Sequence, residues 1–259
     1  MTNPSIGISP SAESERIESF IQSVVDGASA KGVVVALSGG VDSAVVGVLC
    51  VRALGKTKVL AVLLPSNHTP EQDMDDARKL ADAWGVRKEE VPISGIVEAL
   101  ISSSKVQGTR LAKANVEARV RMVLDYYWAN TLGYLVAGTG DKSEELLGYF
   151  TKFGDGGADF LPIAHLYKTQ VRALGKHLGL PKGVVEKPAS PQLWPGQKAS
   201  DEIPADYDKL DVLLHYLFDL KSKPSEAAAR ARVPMDVVGQ VLEMHRRTGH
   251  KRALPPSLG

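Results

Sequence analysis

The stretch Val33-Val34-Val35-Ala36-Leu37-Ser38-Gly39-Gly40-Val41-Asp42-Ser43-Ala44-Val45-Val46 decides the fold. An apolar run of strand length ends in a two-glycine turn, and a second apolar run begins at once, which predicts strand, tight loop and helix. Gly39 and Gly40 allow backbone angles closed to other residues and let a ligand reach the main chain. The helix that follows starts with unpaired N–H groups and the positive end of its dipole. Ser38 and Ser43 add hydroxyl donors, so the stretch is built to hold phosphate oxygens. A carboxylate beside phosphates repels them unless a cation lies between, and Asp42 therefore reads as a Mg²⁺ ligand. No lysine follows the glycines, so this is not the Walker A loop.

Upstream, Ser9-Pro10 predicts a helix start, and Ile17, Phe20, Ile21, Val24 and Val25 give that helix one apolar face. Downstream, Val59–Leu64 reads as a second strand, Glu71 to Trp84 as a helix, and Arg87–Ile93 as a third strand. Residues 94–109 read as an irregular link. A long helix from about Leu111 to Leu132 carries two stripes. Val116, Val120, Val123 and Tyr127 are expected in the core, and Asn115 and Arg119 on a solvated face. Gly133–Gly138 reads as a fourth strand, Phe160–Ala164 as a short fifth, and Tyr167 to Leu178 as a helix. Residues 187–204, with Pro188, Pro191, Pro195 and Pro204, form an expected loop before helices at Asp208–Leu220, Ser225–Arg232 and Met235 to Arg247.

Alternating strands and helices imply right-handed crossovers and a parallel sheet. The expected fold is α/β, a doubly wound, mostly parallel, Rossmann-like sheet with flanking helices and a helical C-terminal part. Ligands in such sheets sit beyond the strand carboxyl ends. Three such ends carry polar chemistry: residues 38–43, 139–144 and 155–168.

The 259 residues suffice for one large core. Net charge is +1, which gives no global argument for a nucleic-acid or membrane surface. The single cysteine, Cys50, excludes an internal disulfide and a cysteine metal cluster, and its spacing from Val46 suggests a packed thiol. The first residues lack the pattern of a signal peptide and no run is long enough to span a membrane, so a cytoplasmic location is expected.

The residues Ser-Gly-Gly-Val-Asp-Ser at 38–43 resemble the loop of the ATP pyrophosphatases, which cut ATP between its α- and β-phosphates. Further segments narrow the resemblance: Asn115 to Met122, Gly138 to Glu144, Phe150 to Asp159, Leu166 to Lys168, Pro188 to Pro191 and His250 to Arg252. Together, and in this order, they resemble the ammonia-dependent NAD synthetase family, of the adenine nucleotide α-hydrolase-like fold.

The resemblance implies a ligase making the last step of NAD biosynthesis. Deamido-NAD would be adenylated by ATP and then amidated by ammonia. It implies one synthetase domain: a 1–185 ATP-binding core, a mobile loop at 186–205, and C-terminal helices and tail at 206–259. It places ATP on Ala36, Leu37, Ser38, Gly39, Gly40, Val41, Asp42, Ser43, Thr139, Lys168 and Ser190. Mg²⁺ would fall to Asp42 and Glu144. Deamido-NAD would meet Arg119, Lys152, Asp159, His250 and Lys251. Asp155 would take the proton of ammonium, Lys168 would neutralise phosphate, and the protein would be a homodimer packed along the 111–132 helix.

Rival readings are weaker. A tRNA-thiolating enzyme needs cysteines that are missing, and a GMP synthetase core leaves 150–159 unexplained. A non-catalytic nucleotide-binding module would lack the pair Asp42 and Glu144. A helix-turn-helix over Ser225–Arg247 lacks a basic recognition face.

Overall fold

The computed structural model describes residues 6–190, 194 and 199–258. Within them, four parallel strands lie in the order β3–β2–β1–β4: β1 Val33–Ala36, β2 Val59–Leu63, β3 Arg87–Glu90 and β4 Leu135–Val136. Val33 pairs with Val59 on one side and Leu135 on the other. The valines of β1 are fully buried on both faces, as expected for a central parallel strand. Each contributes roughly 1.5–3 kcal/mol of burial.

Side chains of a strand alternate between faces, and the two faces meet different helices. Val33, Val35, Val59, Ala61 and Leu63 join a core with α1 (Pro10–Gly27), α2 (Val41–Leu54), α3 (Glu71–Trp84), α7 (Lys168–His177) and α8 (Lys182–Val185). Val34, Leu60, Val62 and Val136 pack instead with α4 (Ser94–Ser102) and α5 (Arg110–Leu132). A third cluster joins α6 (Lys142–Leu147), α9 (Tyr207–Leu214), α10 (Pro224–Ala231) and α11 (Met235–Arg247). After α9 the chain takes one wider helical turn over His215–Asp219. Cys50 is buried in the first core. The edge strand β3, Arg-Lys-Glu-Glu, is charged and mostly exposed, which discourages pairing with another sheet. Among the described residues no helix is long and apolar enough to cross a membrane.

Four readings of the sequence are corrected. Residues 94–102 form α4, not a link. Phe160–Ala164 is no strand; Phe160 makes a single parallel bridge to Ala137. The fourth strand is shorter than Gly133–Gly138, because Gly133 takes a left-handed φ of 69° to end α5. On α5, Val120 is buried and Val116 partly so, but Val123 and Tyr127 are 59% and 65% exposed. Of the expected loop, residues 191–193 and 195–198, including Pro191 and Pro195, lie outside the described residues.

Candidate active site

From β1 the sheet runs one way to β2 and the other way to β4, so the loop after β1 opens at the switch point. That loop is knotted by its own serines. Ser38 N donates to Ser43 Oγ (3.2 Å), Gly40 N to Ser38 Oγ (3.3 Å), and Ser43 Oγ to the Gly40 carbonyl (3.1 Å). Gly39 has φ 76°, and a Cβ there would stand 2.1 Å from the Asp73 carbonyl, so only glycine fits. Gly40 begins α2 without a side-chain cap, leaving its first N–H groups to a ligand.

Beside the loop stands Lys168, the first residue of α7 and 1% exposed. Its Nζ lies 2.7 Å from Asp42 Oδ2, 2.8 Å from Glu144 Oε1 and 3.0 Å from Asp141 Oδ2. One ammonium thus faces three carboxylates, and the group as a whole is formally anionic. Burial pushes the Asp141 and Glu144 carboxyls up while Lys168 draws them back. Burial also disfavours the ammonium, but Asp141, Asp42 and Glu144 together hold it well above the ordinary lysine value.

Asp141 is fully buried and caps α6, accepting from Glu144 N at 2.8 Å. Asp42 and Glu144 keep 22% and 23% of their side chains open, so a ligand can reach them. Asp42 Oδ1 is buried with no protein partner. That orphaned oxygen, beside a second carboxylate, fits a hard divalent cation completed by water and phosphate oxygens. Among the described residues no ready cage of three or more His, Cys, Asp or Glu side chains exists.

A buried relay fixes this geometry. Ser143 Oγ donates to Asp211 Oδ1 (2.6 Å) and accepts from Lys168 N (3.0 Å), while Thr169 N donates to Asp211 Oδ2 (2.8 Å). The first turns of α6 and α7 are thereby pinned to α9. The Tyr207 ring lies 5.6 Å from Lys168 Nζ. A cavity of about 130 Å³ lies over the group, lined by Ser38, Gly40, Val41, Asp42, Glu144, Asp155, Lys168, Ser190, Tyr207 and others.

A second group lies along α5, the 150–159 loop and the tail. Thr151 Oγ1 donates to Asn115 Oδ1 (2.8 Å), so Asn115 anchors the loop. An Arg119 Nη donates to the Lys152 carbonyl (3.2 Å), and Lys152 Nζ to the His250 carbonyl (2.6 Å). Lys251 Nζ donates to the carbonyls of Gly148 (2.7 Å) and Phe150, and Arg252 to that of Glu145 (3.0 Å). The tail thus clamps the carboxyl end of α6. Asp155 Oδ1 accepts from Thr151 N (2.8 Å). The residue is exposed by surface area, yet crowding by protein raises its pKa, against the hydrogen bond from Thr151 and the charge of Lys251.

The structure therefore gathers Ser38, Gly40, Val41, Asp42, Glu144, Asp155, Lys168 and Ser190 around one cavity. It joins Arg119, Lys152 and His250 in one chain of contacts, with Lys251 next to it on the Gly148 and Phe150 carbonyls. Thr139 is half-buried just beyond β4, while Ala36 closes β1 and Leu37 is core. Gly39 belongs to the loop itself, and Ser43, in the first turn of α2, holds it by accepting from Ser38 N. Asp159 stands apart from the cavity lining. Its Oδ2 accepts from Val136 N (2.7 Å) and its Oδ1 from Tyr126 OH (3.1 Å). Sequence reading missed Asp141, Tyr207, Asp211 and Lys187. Asp141 was findable, since Asp141-x-x-Glu144 spells a capping box, which the structure contains.

Fold and site define a nucleotide-binding α/β protein with its phosphate loop at the switch point of a parallel sheet. The NAD synthase family model matches residues 13–255, and the chain belongs to that family. The chain is 51% identical to the NH(3)-dependent NAD(+) synthetase of Hyperthermus butylicus, over 93% of this chain and 88% of that one. Among solved structures it is similar to NMN synthetase from Francisella tularensis (TM-score 0.87, 33% identity, 97% of this chain and 99% of that one). It is also similar to the NH3-dependent NAD synthetase from Campylobacter jejuni in complex with the nitrate ion (TM-score 0.84, 30% identity, 98% and 100%).

Proposed function

We propose that the chain is a ligase that joins ammonia to deamido-NAD at the expense of ATP. The nicotinate carboxylate attacks the α-phosphorus, the bond to the bridging oxygen breaks, and pyrophosphate leaves. Ammonia then attacks the acyl-adenylate carbon, and AMP departs to leave the amide of NAD. Substrates supply both nucleophiles, so the protein needs to align and to neutralise. The observation that carries this reading is the buried ammonium of Lys168 tied to Asp42 and Glu144 at the mouth of the phosphate loop, in a chain of this family.

Within it, Ser38, Gly39, Gly40 and Ser43 hold the pyrophosphate end of ATP, and Lys168 offsets its charge. Ser190 reaches the phosphates from the other wall, and Thr139 meets the nucleoside. Mg²⁺ held by Asp42 and Glu144 would supply further neutralisation of the leaving group. Arg119, Lys152, Asp159, His250 and Lys251 bind deamido-NAD. Asp155 holds ammonium and accepts its proton; a raised carboxyl pKa makes it a better base near neutrality. The exposed row Val123 and Tyr127 on α5 favours a homodimer through that helix. Lys187, Pro188, Ala189, Ser190 and Ala199 line one wall of the cavity, the whole chain being one catalytic domain that works in the cytoplasm.

The test is incubation with ATP, Mg²⁺, ammonium and either deamido-NAD or nicotinic acid mononucleotide, following AMP, pyrophosphate and product. NAD is the expected product. A clear preference for the mononucleotide would move the reading toward the reaction named for the Francisella neighbour. Pyrophosphate release with neither acceptor would sink it.

A further inference from the structure

Lys187 reaches the phosphate loop from outside every segment that carried the family resemblance. Its Nζ lies 3.0 Å from the Gly39 carbonyl, 2.6 Å from Asp73 Oδ1 and 2.7 Å from Asp76 Oδ2. The three side chains are 19%, 9% and 17% exposed, so water screens the pairing little. Both carboxylates stand on α3, in its first two turns. Lys187 also lines the cavity over Lys168.

The partner that matters is the backbone carbonyl. In a trans peptide, C=O and N–H point in opposite directions. Holding the Gly39 carbonyl on Lys187 therefore fixes the direction of the Gly40 N–H. That N–H faces Ser38 Oγ at 3.3 Å, and Ser38 and Gly40 both line the cavity. A peptide between two glycines has no Cβ to resist rotation, so its orientation rests on its hydrogen bonds: the long one from Gly40 N–H to Ser38 Oγ and the shorter one from Lys187 to the Gly39 carbonyl.

We propose that Lys187 is a positioning residue: braced by Asp73 and Asp76, it locks the Gly39–Gly40 peptide so that the Gly40 N–H meets an ATP phosphate. The proposal rests on the ATP-dependent reading above but has its own readout. The alternative role for the same ammonium is direct contact with phosphate, and the two roles predict opposite signs at Asp73 and Asp76. A brace loses strength when Asp73 and Asp76 are neutralised; a direct ligand is released by the same change and binds phosphate better.

The experiment measures calorimetric affinity for α,β-methylene-ATP with Mg²⁺, in wild type, Lys187→Met, Asp73→Asn with Asp76→Asn, and all three changes together. NAD formation and the thermal midpoint are followed in parallel. Lys187→Met should weaken nucleotide binding roughly ten- to hundredfold, the range for a hydrogen bond to a charged group. KM for deamido-NAD should stay within about twofold of wild type. The Asp pair should weaken nucleotide binding in the same direction, and the triple variant by less than the product of the separate effects. Tighter binding in the Asp pair, or unchanged binding in Lys187→Met, overturns the proposal. Wild type that binds the nucleotide but makes no NAD sinks the ligase reading alone, and the affinity series still decides the role of Lys187.

Discussion

Around Lys168 the charges meet side chain to side chain in near-complete burial, whereas along Arg119, Lys152 and Lys251 the cations rest on main-chain carbonyls near the surface. The first arrangement is over-determined. An ammonium with three carboxylates, an orphaned carboxylate oxygen and a serine relay behind it can hardly take another geometry. The second arrangement uses neutral acceptors, which an arriving anion can replace by offering a full charge. One side of the site is fixed in a single geometry, and the other is held by contacts that can exchange partners.

Lys168→Met should have the largest effect. It leaves Asp141 fully buried without its cation beside two partly open carboxylates, and removing the partner of a buried charge costs about 3–5 kcal/mol. Chemical denaturation should show that loss, and NAD formation should vanish. A variant that stays as stable as wild type would break the comparison, since the burial would not matter. Asp42→Asn should cost roughly a hundred- to a thousandfold in adenylation, the scale of a lost electrostatic stabiliser, and less in stability. Pyrophosphate release in a single turnover measures it.

Asp125, on the same helix as Arg119, is a buried carboxyl with no cation in hydrogen-bond contact among the described residues. It is buried, its Oδ1 has no hydrogen-bond partner, and burial raises its pKa from 3.8 to about 7 against the pull of Arg121. A carboxyl raised in the fold favours folding below its unfolded pKa and loses that contribution as pH climbs through 7. Asp125→Asn should therefore raise the thermal midpoint at pH 8 and leave it nearly unchanged at pH 4. The size of that rise in pKa sets a ceiling of about 4 kcal/mol on the gain. Equal effects at both pH values would show that the carboxyl does not titrate as its surroundings require. The smallest effect belongs to the exposed side. Arg119→Ala should raise KM for deamido-NAD roughly tenfold, leave KM for ATP alone and barely move the melting temperature.

The parts that reading the sequence recovered are those where chemistry and local conformation coincide. Gly39-Gly40 between two apolar runs could hardly be anything but a strand–loop–helix junction, and Lys168 opens its helix as expected. The parts that escaped depend on distant partners. Helix α4 hides because Ile96 and Leu100 are exposed while Val97 is buried, which blurs the stripe, and Gly95 reads as punctuation. Val123 and Tyr127 have core-like side chains but face outward. Asp211 and Tyr207 carry no local signal, since they gain their place only when α9 folds against α6 and α7. The tail His250-Lys251-Arg252 looks like a solvated basic end, but Lys251 and Arg252 donate to carbonyls of residues 145–150.

That clamp has a geometric consequence. Helix α6 is held at its first turn by Asp141 and Glu144, beside the phosphate loop, and at its last by the basic tail. Six residues rising 1.5 Å each make a bar of about 9 Å. The bar spans from the carboxylate beside Lys168 to the carbonyls held by Lys251 and Arg252. Its length sets the distance between those two anchored groups. One residue more or fewer would turn one end by about 100° relative to the other, so both ends keep their partners only at this length.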